Sequence, residues 1–513
     1  MKSVYNAADL PLEEEYDYIV IGGGTAGCPL AATLSEKSSV LVLERGNAPK
    51  AHPNVLRASG FLANLMEKDS GDSPAQRFTS EDGVDNVRGR VLGGTSMINA
   101  GFFSRAEEEY FMKSGVDWDF DAVEKAYEWV EETVVSRPSL SVWQSVMKEA
   151  LLEAGTAPDN GVTLKHVIGT KVSGSTFDGK GRRHGAVELL NRGNLTNLRV
   201  AIHATVERII FSLKTSNPSA IGVLYTDSKG IFHRAFVRDK GEVILSAGAL
   251  GSPQLLLLSG IGPPSYLSSR FIPIVQPQPN VGKYMADNPR NNINLIIPFP
   301  LNASTARVVG ITSDYYIETV SYGLQFSPTS LPFSFYSNPL SPANLSLASI
   351  AEKIVGPLSR GSLWLDSPTD VKATPRVRFN YFANPTDLSR CVRGMRKVGE
   401  LLKTKSLDRF KYQDLNGVRD FMYLGPPLPT NQMNDSSMEA FCRSSVTTFW
   451  HYHGGCLVGK VVDGDFKVIG INSLRVVDAS TFFMSPGTNP QATLMMLGRY
   501  VGLKILRERL EPN

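Results

Sequence analysis

An α/β fold in two parts is predicted, and three observations carry the prediction. Residues 18–46 run strand, glycine turn, helix, strand and acid in that order. Residues 197–248 hold a series of short β-rich runs broken by turn signals. Residues 290–390 then change character, with proline and aromatic residues dense, as in a second domain whose sheet walls an apolar pocket.

The first stretch is the most informative. Four apolar or β-branched residues from Tyr18 run into Gly22-x-Gly24-x-x-Gly27, a small-residue helix follows, and a second apolar run, Val40 to Leu43, ends on Glu44. Gly22 permits a sharp turn, and Gly24 lets backbone N–H groups approach a pyrophosphate. Gly27 brings helix close to sheet, and the helix N-terminus favours the anion. Glu44 stands where a carboxylate accepts the hydroxyls of an adenosine ribose. Strand, helix and acid together predict a Rossmann-type dinucleotide unit, which by itself does not choose between NAD and FAD.

The intervening elements follow in order. Residues 47–87 lack periodicity and read as a long connecting excursion. Gly89 to Phe103 holds a second glycine pair with Thr95 and Ser96, which again suggests close backbone approach to a ligand. Residues 119–155 read as helices with Trp129 and Trp143 on apolar faces. Runs at Leu198–Ile202, Val206–Phe211, Ala220–Tyr225, Phe232–Val237 and Glu242–Leu245 read as a β-meander feeding a strand. A strongly apolar helix, Pro253 to Leu258, is stopped by Ser259-Gly260.

In the second part the aromatics are Tyr315, Tyr316, Tyr322, Phe326, Phe333, Phe335 and Tyr336, with strand-like runs at 362–365 and 377–381. Helices resume over 387–405. The tail, from Leu474 to Gly498, reads as strand, loop and helix returning to the nucleotide domain, with a second helix N-terminus after Asn489-Pro490. The division expected is residues 1–118, 165–300 and 445–513 for the nucleotide domain, and 119–164 and 301–444 for the substrate domain.

Composition narrows the class. A chain of 513 residues exceeds a single core, so two domains are natural. A net charge of +3 implies no polyanionic partner, hence no nucleic acid. No apolar run approaches the ~20 residues a membrane span needs. Met1 to Glu15 is polar and is expected not to be a signal peptide, yet sequons at Asn194, Asn302, Asn344 and Asn434 hint at the secretory pathway. Cys28, Cys391, Cys442 and Cys456 show no metal-ligand spacing. Cys28 is expected to be a small buried residue, and sequence alone does not deduce a pairing of Cys391 with Cys442.

Three separated motifs coincide with those of one family. Gly22 to Gly27 opens the chain, Gly89 to Phe103 resembles the first signature of the glucose-methanol-choline (GMC) oxidoreductases, and Gly248 to Gly262 resembles their second. His451-Tyr-His-Gly-Gly, Val477 to Ser480 and Asn489-Pro-Gln491 resemble their ending. The likeness covers essentially the whole chain and implies FAD, with a second domain of mainly antiparallel sheet flanked by helices. It is closest to the plant branch, the flavin-containing (R)-mandelonitrile lyases of almond and cherry seeds, through Arg88 to Ser96, Ser139 to Trp143 and Trp450 to Lys460. Cys391 and Cys442 match their disulfide.

The resemblance places FAD contacts on Thr25, Ala26, Glu44, Arg45, Val91, Thr95, Asn99, Ala100, Gly101, Phe102, Val206, Trp450, His451, Ala479, Asn489 and Pro490, beside the glycines already named. Some members attach flavin through a histidine just before the Asn99 position. Ile98 stands there, so noncovalent FAD is expected.

His451 falls on the family's base. An imidazole has an ordinary pKa near working pH, so it can take a hydroxyl proton and return it. His453, two residues on, is expected to point the other way and to be structural. His52, His166, His184, His203 and His233 match no catalytic position.

The departures bear on the reaction. The lyases carry a second histidine where this chain has Asn489, and a tyrosine where it has Phe449. Asn489 can orient an alcohol oxygen but cannot become a cation. His with Asn is a pattern of members that oxidise alcohols, and Pro486 to Thr493 also resembles the plant HOTHEAD-type proteins. The leading expectation is therefore oxidation of a small aromatic or allylic alcohol to its aldehyde, with hydride passing to flavin N5 and His451 as base. Asn489 is its catalytic partner, and Phe449, Trp450 and Phe102 form the pocket, with Phe103, Phe482 and Phe483 adding aromatic density. The alternative is an (R)-hydroxynitrile lyase acting on a cyanohydrin with FAD structural. A third is a protein that binds FAD and an aromatic ligand without turnover. Dioxygen is the candidate electron acceptor, and a monomer is expected.

Overall fold

A computed structural model describes residues 3–214, 216–322, 345–414 and 416–510. Four of the pocket-domain aromatics, Phe326, Phe333, Phe335 and Tyr336, and the sequon at Asn344 lie outside them.

The first part is an eight-stranded sheet. Its strands are β1 (Val4–Asn6), β2 (Glu13–Ile21), β3 (Val40–Leu43), β4 (Leu198–Ile202), β5 (Thr205–Ser212), β6 (Ser219–Thr226), β7 (Phe232–Leu245) and β8 (Leu474–Val476). The order is β1-β4-β3-β2-β7-β6-β5, with β8 also paired to β7. Pairs from β1 through β7 and β7 with β8 are parallel, and β7-β6-β5 is the antiparallel meander. The β-rich runs at 232–237 and 242–245 are thus one strand, interrupted by a register shift between Val237 and Glu242. Its first half pairs with the meander and its second half with the tail. Helix α1 (Gly27–Ser35) is wholly buried between sheet and helix α2 (Gln491–Leu510). The apolar helix near residue 253 begins earlier than expected, at Gly248, with Pro253 inside it.

The second part is another eight-stranded sheet, antiparallel except at one edge. Its centre is β9 (Pro289–Ile297), β10 (Val308–Ile311), β11 (Tyr315–Tyr322) and β12 (Ser346–Ile354), in the order β9-β12-β11-β10. Strand periodicity sorts the two faces. Ile317, Ile350 and Ile354 pack with Trp143 and the helices Val142–Glu153 and Pro385–Leu401. Tyr316, Glu318 and Lys353 fall on the opposite face, where Glu318 lines the site cavity. Cys391 and Cys442 form a disulfide in the helix-side core, closing a loop of 51 residues. In the chain-entropy model such a closure contributes about 2–4 kcal/mol.

Several boundaries shift from those expected. Residues 169–172 and 289–297, expected in the nucleotide domain, are strands of the second sheet. Ile293, Leu295 and Ile297 alternate into that core and hold the latter there. Residues 120–134, expected in the substrate domain, pack against α2 through Ala122, Ala126 and Val130 in the first core. Residues 361–364 and 376–378 join 283–285 in a separate three-stranded sheet covering the first part. The 47–87 excursion is less irregular than its composition suggests, ending in a hairpin of Ala75–Thr79 with Asp85–Gly89. Trp129 is half-buried, not core: the guanidiniums of Arg499 and Arg192 lie 4.6 and 5.0 Å from its ring centre.

Candidate active site

One elongated cavity runs between the two sheets, from the first glycine turn to His451 and Asn489. Its nucleotide end is built by close approach. A Cβ on Gly22, whose φ is +99°, would lie 2.5 Å from the Ser246 carbonyl oxygen, and one on Gly27 only 2.0 Å from that of Gly22. The second glycine pair meets the first: a Cβ on Gly94 would come 2.7 Å from the Gly24 Cα. Glu44 is buried and accepts from the Gly23 and Gly46 amides at 3.0 and 2.7 Å. Burial pushes its carboxyl up.

The donor set fits FAD. Arg45 and Arg88 line the cavity, and a guanidinium nitrogen of Arg88 is buried without a partner. Burial lowers both guanidiniums, which a dianionic pyrophosphate nearby would offset. Glycine amides at α1 and the N-terminus of α2 supply further positive ends.

The middle of the cavity depends on a residue that no motif disclosed. Arg183, buried, donates to the Asn99 carbonyl at 2.5 Å, to Asn99 Oδ1 at 2.8 Å and to the Ser96 carbonyl at 3.0 Å. Its guanidinium lies over Phe177, and burial pulls its pKa down to about 9. Asn99 in turn donates to Gln491 Oε1 at 2.9 Å, tying the Asn99–Phe102 loop to α2.

At the far end Asp287 holds the histidine loop. It accepts from the His451 amide at 2.9 Å and from the Thr448 and Tyr381 hydroxyls, each at 2.6 Å. Burial pushes Asp287 up to about 6. Trp450 between them has φ +59°, a left-handed conformation that costs a non-glycine residue of order 1 kcal/mol. Its amide donates to Thr448 Oγ1 at 2.7 Å, so the turn is held by the same group of residues.

The cluster around His451 is compact. Asn489 Nδ2 lies 3.4 Å from His451 Nε2, and Phe449 packs against the His451 ring with centroids 4.9 Å apart. Lys353 Nζ lies 3.5 Å from His451 Nδ1 and donates to the Thr488 carbonyl. Arg290 lies over Trp450, 4.7 Å from its ring centre. Desolvation, then Lys353, His453 and Arg290, pull the His451 pKa well below its ordinary value, so the imidazole is neutral. His453 turns away into the protein: its Nδ1–H donates to the His451 carbonyl at 2.9 Å, and burial lowers its pKa to about 3.

Most expected site residues line this cavity. Gly22, Gly24, Thr25, Ala26, Glu44, Arg45, Thr95, Asn99, Ala100, Gly101, Phe102, Val206, Phe449, Trp450, His451, Ala479, Asn489 and Pro490 all do. Val91 and Gly27 do not. Val91 is buried beside Asn47, and Gly27 serves the helix–strand contact. Phe103, Phe482 and Phe483 also leave the pocket for the first core, the latter two around Tyr110.

Lys353, Glu318 and Arg290 belong to no motif and reach the site only through the pairing of the second sheet. Their one legible signal is a charged residue inside a strand buried on both faces, as in Tyr-Tyr-Ile-Glu-Thr-Val at 315–320. They also add charge to the substrate end. Asn489 itself cannot become a cation, but Lys353 and Arg290 both stand beside the site.

A two-part α/β molecule with a glycine-lined cleft ending at a histidine has the arrangement of a nucleotide-cofactor enzyme. The comparisons specify which. GMC oxidoreductase family models match residues 16–290 and 357–498, and the chain belongs to that family, whose cofactor is FAD. It is 57% identical over 510 residues to (R)-mandelonitrile lyase 1 of Prunus serotina, covering 99% of this chain and 90% of that one. It is 54% identical over 513 residues to sinalpyl alcohol oxidase Nec3 of Nesocodon mauritianus, covering 99% and 92%. Its fold matches an Aspergillus oryzae formate oxidase with a TM-score of 0.79 at 20% identity, over 97% of this chain and 99% of that one.

Proposed function

We propose that the protein oxidises a small aromatic or allylic alcohol to its aldehyde, with His451 as base. The observation that carries this is the His451 imidazole with the uncharged Asn489 amide 3.4 Å from its Nε2. FAD, when bound, accepts the hydride of the carbinol carbon. The chain's own part is then to remove a proton and hold an oxygen. His451 Nε2 takes the hydroxyl proton, and Asn489 orients the oxygen that loses it. Phe449, Trp450 and Phe102 wall the site, exclude water and favour a flat substrate. The alcohol oxidase at 54% identity supports the reading, and dioxygen is its candidate electron acceptor.

A specific observation favours the second reading, hydroxynitrile cleavage. Lys353 and Arg290 place positive charge beside the site, and departing cyanide is an anion that preorganised charge can stabilise by several kcal/mol. The lyase relative at 57% identity points the same way. What favours oxidation is the missing group that would hold a cyanohydrin, since Phe449 has no hydroxyl and Asn489 cannot be protonated. The double change Asn489→His with Phe449→Tyr is therefore expected to raise cleavage of mandelonitrile above a low starting level. Brisk, stereoselective cleavage by the unchanged protein would favour the lyase instead.

Noncovalent FAD is part of the proposal, because Ile98, buried and aliphatic, offers no atom for attachment. Acid or heat denaturation is expected to release intact FAD into the supernatant. Colour that stays with the precipitate would contradict it. Passage through the secretory pathway is supported by the sequons Asn194, Asn302 and Asn434, all exposed. Among the described residues no helix is long and apolar enough to cross a membrane.

A further inference from the structure

One carboxyl at the substrate end is not used by the proposed reaction. Glu318 stands in β11 and lines the cavity with His451 and Asn489, yet it is only 4% exposed. Burial pushes its carboxyl up, against the pull of Lys353, of the nearby Asn489 amide and of Arg290. Its Oε1 has no partner.

Asn489 has the complementary defect. Its Nδ2 lies 3.4 Å from His451 Nε2, while its Oδ1, like Glu318 Oε1 in the same cavity, is buried without a partner. An amide held this way keeps its donors for the protein and leaves only an acceptor for the substrate. An oxygen losing its proton needs a donor. Half a turn of the amide about its last torsion exchanges the two ends. The turned amide then needs a hydrogen for Oδ1, and a protonated Glu318 can give one.

We propose that Glu318 is a positioning residue whose carboxyl sets which end of the Asn489 amide meets the substrate oxygen. Ionised, it holds Nδ2 inward. Protonated, its O–H donates to Oδ1 and releases Nδ2 to the oxygen from which His451 takes the proton. The charged and titratable groups facing it are Lys353 from β12, Arg290 from β9 and His451 from the loop after Phe449. The proposal rests on the roles given above to His451 and Asn489.

The test follows flavin reduction by an aromatic alcohol, without oxygen, across pH in the holoprotein and in E318Q and E318V. The native rate is expected to fall as pH rises and Glu318 ionises. E318V loses about tenfold in the rate at saturating alcohol, the worth of one hydrogen bond, with a smaller change in KM. E318Q recovers most of that loss, because its amide can also donate to Oδ1, and it lacks the pH limb. Infrared spectra give a readout free of turnover: a protonated-carboxyl band missing from E318Q and shifted by N489A. A limb that persists in E318Q would belong to Lys353 and overturn the proposal, as would E318V with native rates. A native flavin that no alcohol reduces would defeat the oxidation reading alone. In that case the infrared band decides: its presence and shift uphold the Glu318–Asn489 link, and its absence overturns it.

Discussion

His451→Ala is expected to bind FAD as the parent does and to lose ~10²–10⁴-fold in flavin reduction by an alcohol, the usual share of a positioned general base. The separation of binding from rate follows from the geometry. Asp287 holds the loop through the backbone amide of residue 451, which alanine keeps, and through Thr448 and Tyr381. Only the imidazole leaves. His453→Ala should cost far less, since that ring is buried away from the cavity and serves a backbone carbonyl. Stopped-flow absorbance of the two holoproteins checks this. Equal losses in both would mean that the two histidines share the proton.

Gly27→Val is expected to have the other large effect, at the opposite end of the cavity. The Cβ of any residue there would lie 2.0 Å from the Gly22 carbonyl oxygen and 3.2 Å from the Ser246 Cβ. The nearer of these is a backbone oxygen, which no side-chain rotation can move aside, so α1 must move off the sheet. That movement withdraws the amides that would face the pyrophosphate. The purified variant should be colourless, or should lose FAD on gel filtration, with affinity lowered at least ~100-fold, the cost of the few kcal/mol that strained packing entails. A yellow, fully loaded Gly27→Val protein would show that the helix N-terminus contributes little to holding the cofactor.

The parts legible in the sequence are those that short-range rules govern. Residues 18–46 could be read because turn, helix and acid each need particular residue types at fixed spacing. The helix from Gly248 was read late because its first turn, Gly-Ala-Leu-Gly, carries little helical signal and precedes a proline. What stayed hidden is long-range. The 232–245 strand looked like two because its register shifts where it changes partners. The second sheet draws strands from residues 169–172 and 289–297 across the expected boundary, and no local pattern announces which sheet a strand joins. Glu318 and Lys353 reach the His451 end of the cavity only because β11 and β12 pair with Tyr316 opposite Lys353. Arg183 acts on Asn99 across 84 residues of chain. Such contacts depend on topology, and a single sequence carries no direct trace of them.

Anaerobic mixing of the holoprotein with a panel of aromatic and allylic alcohols, observed through the flavin absorbance, tests the central claim most directly. The account predicts bleaching by at least one such alcohol, with the matching aldehyde formed and no cyanide released from mandelonitrile at a comparable rate. A flavin left oxidised by every alcohol, in a protein that cleaves mandelonitrile briskly, would contradict it.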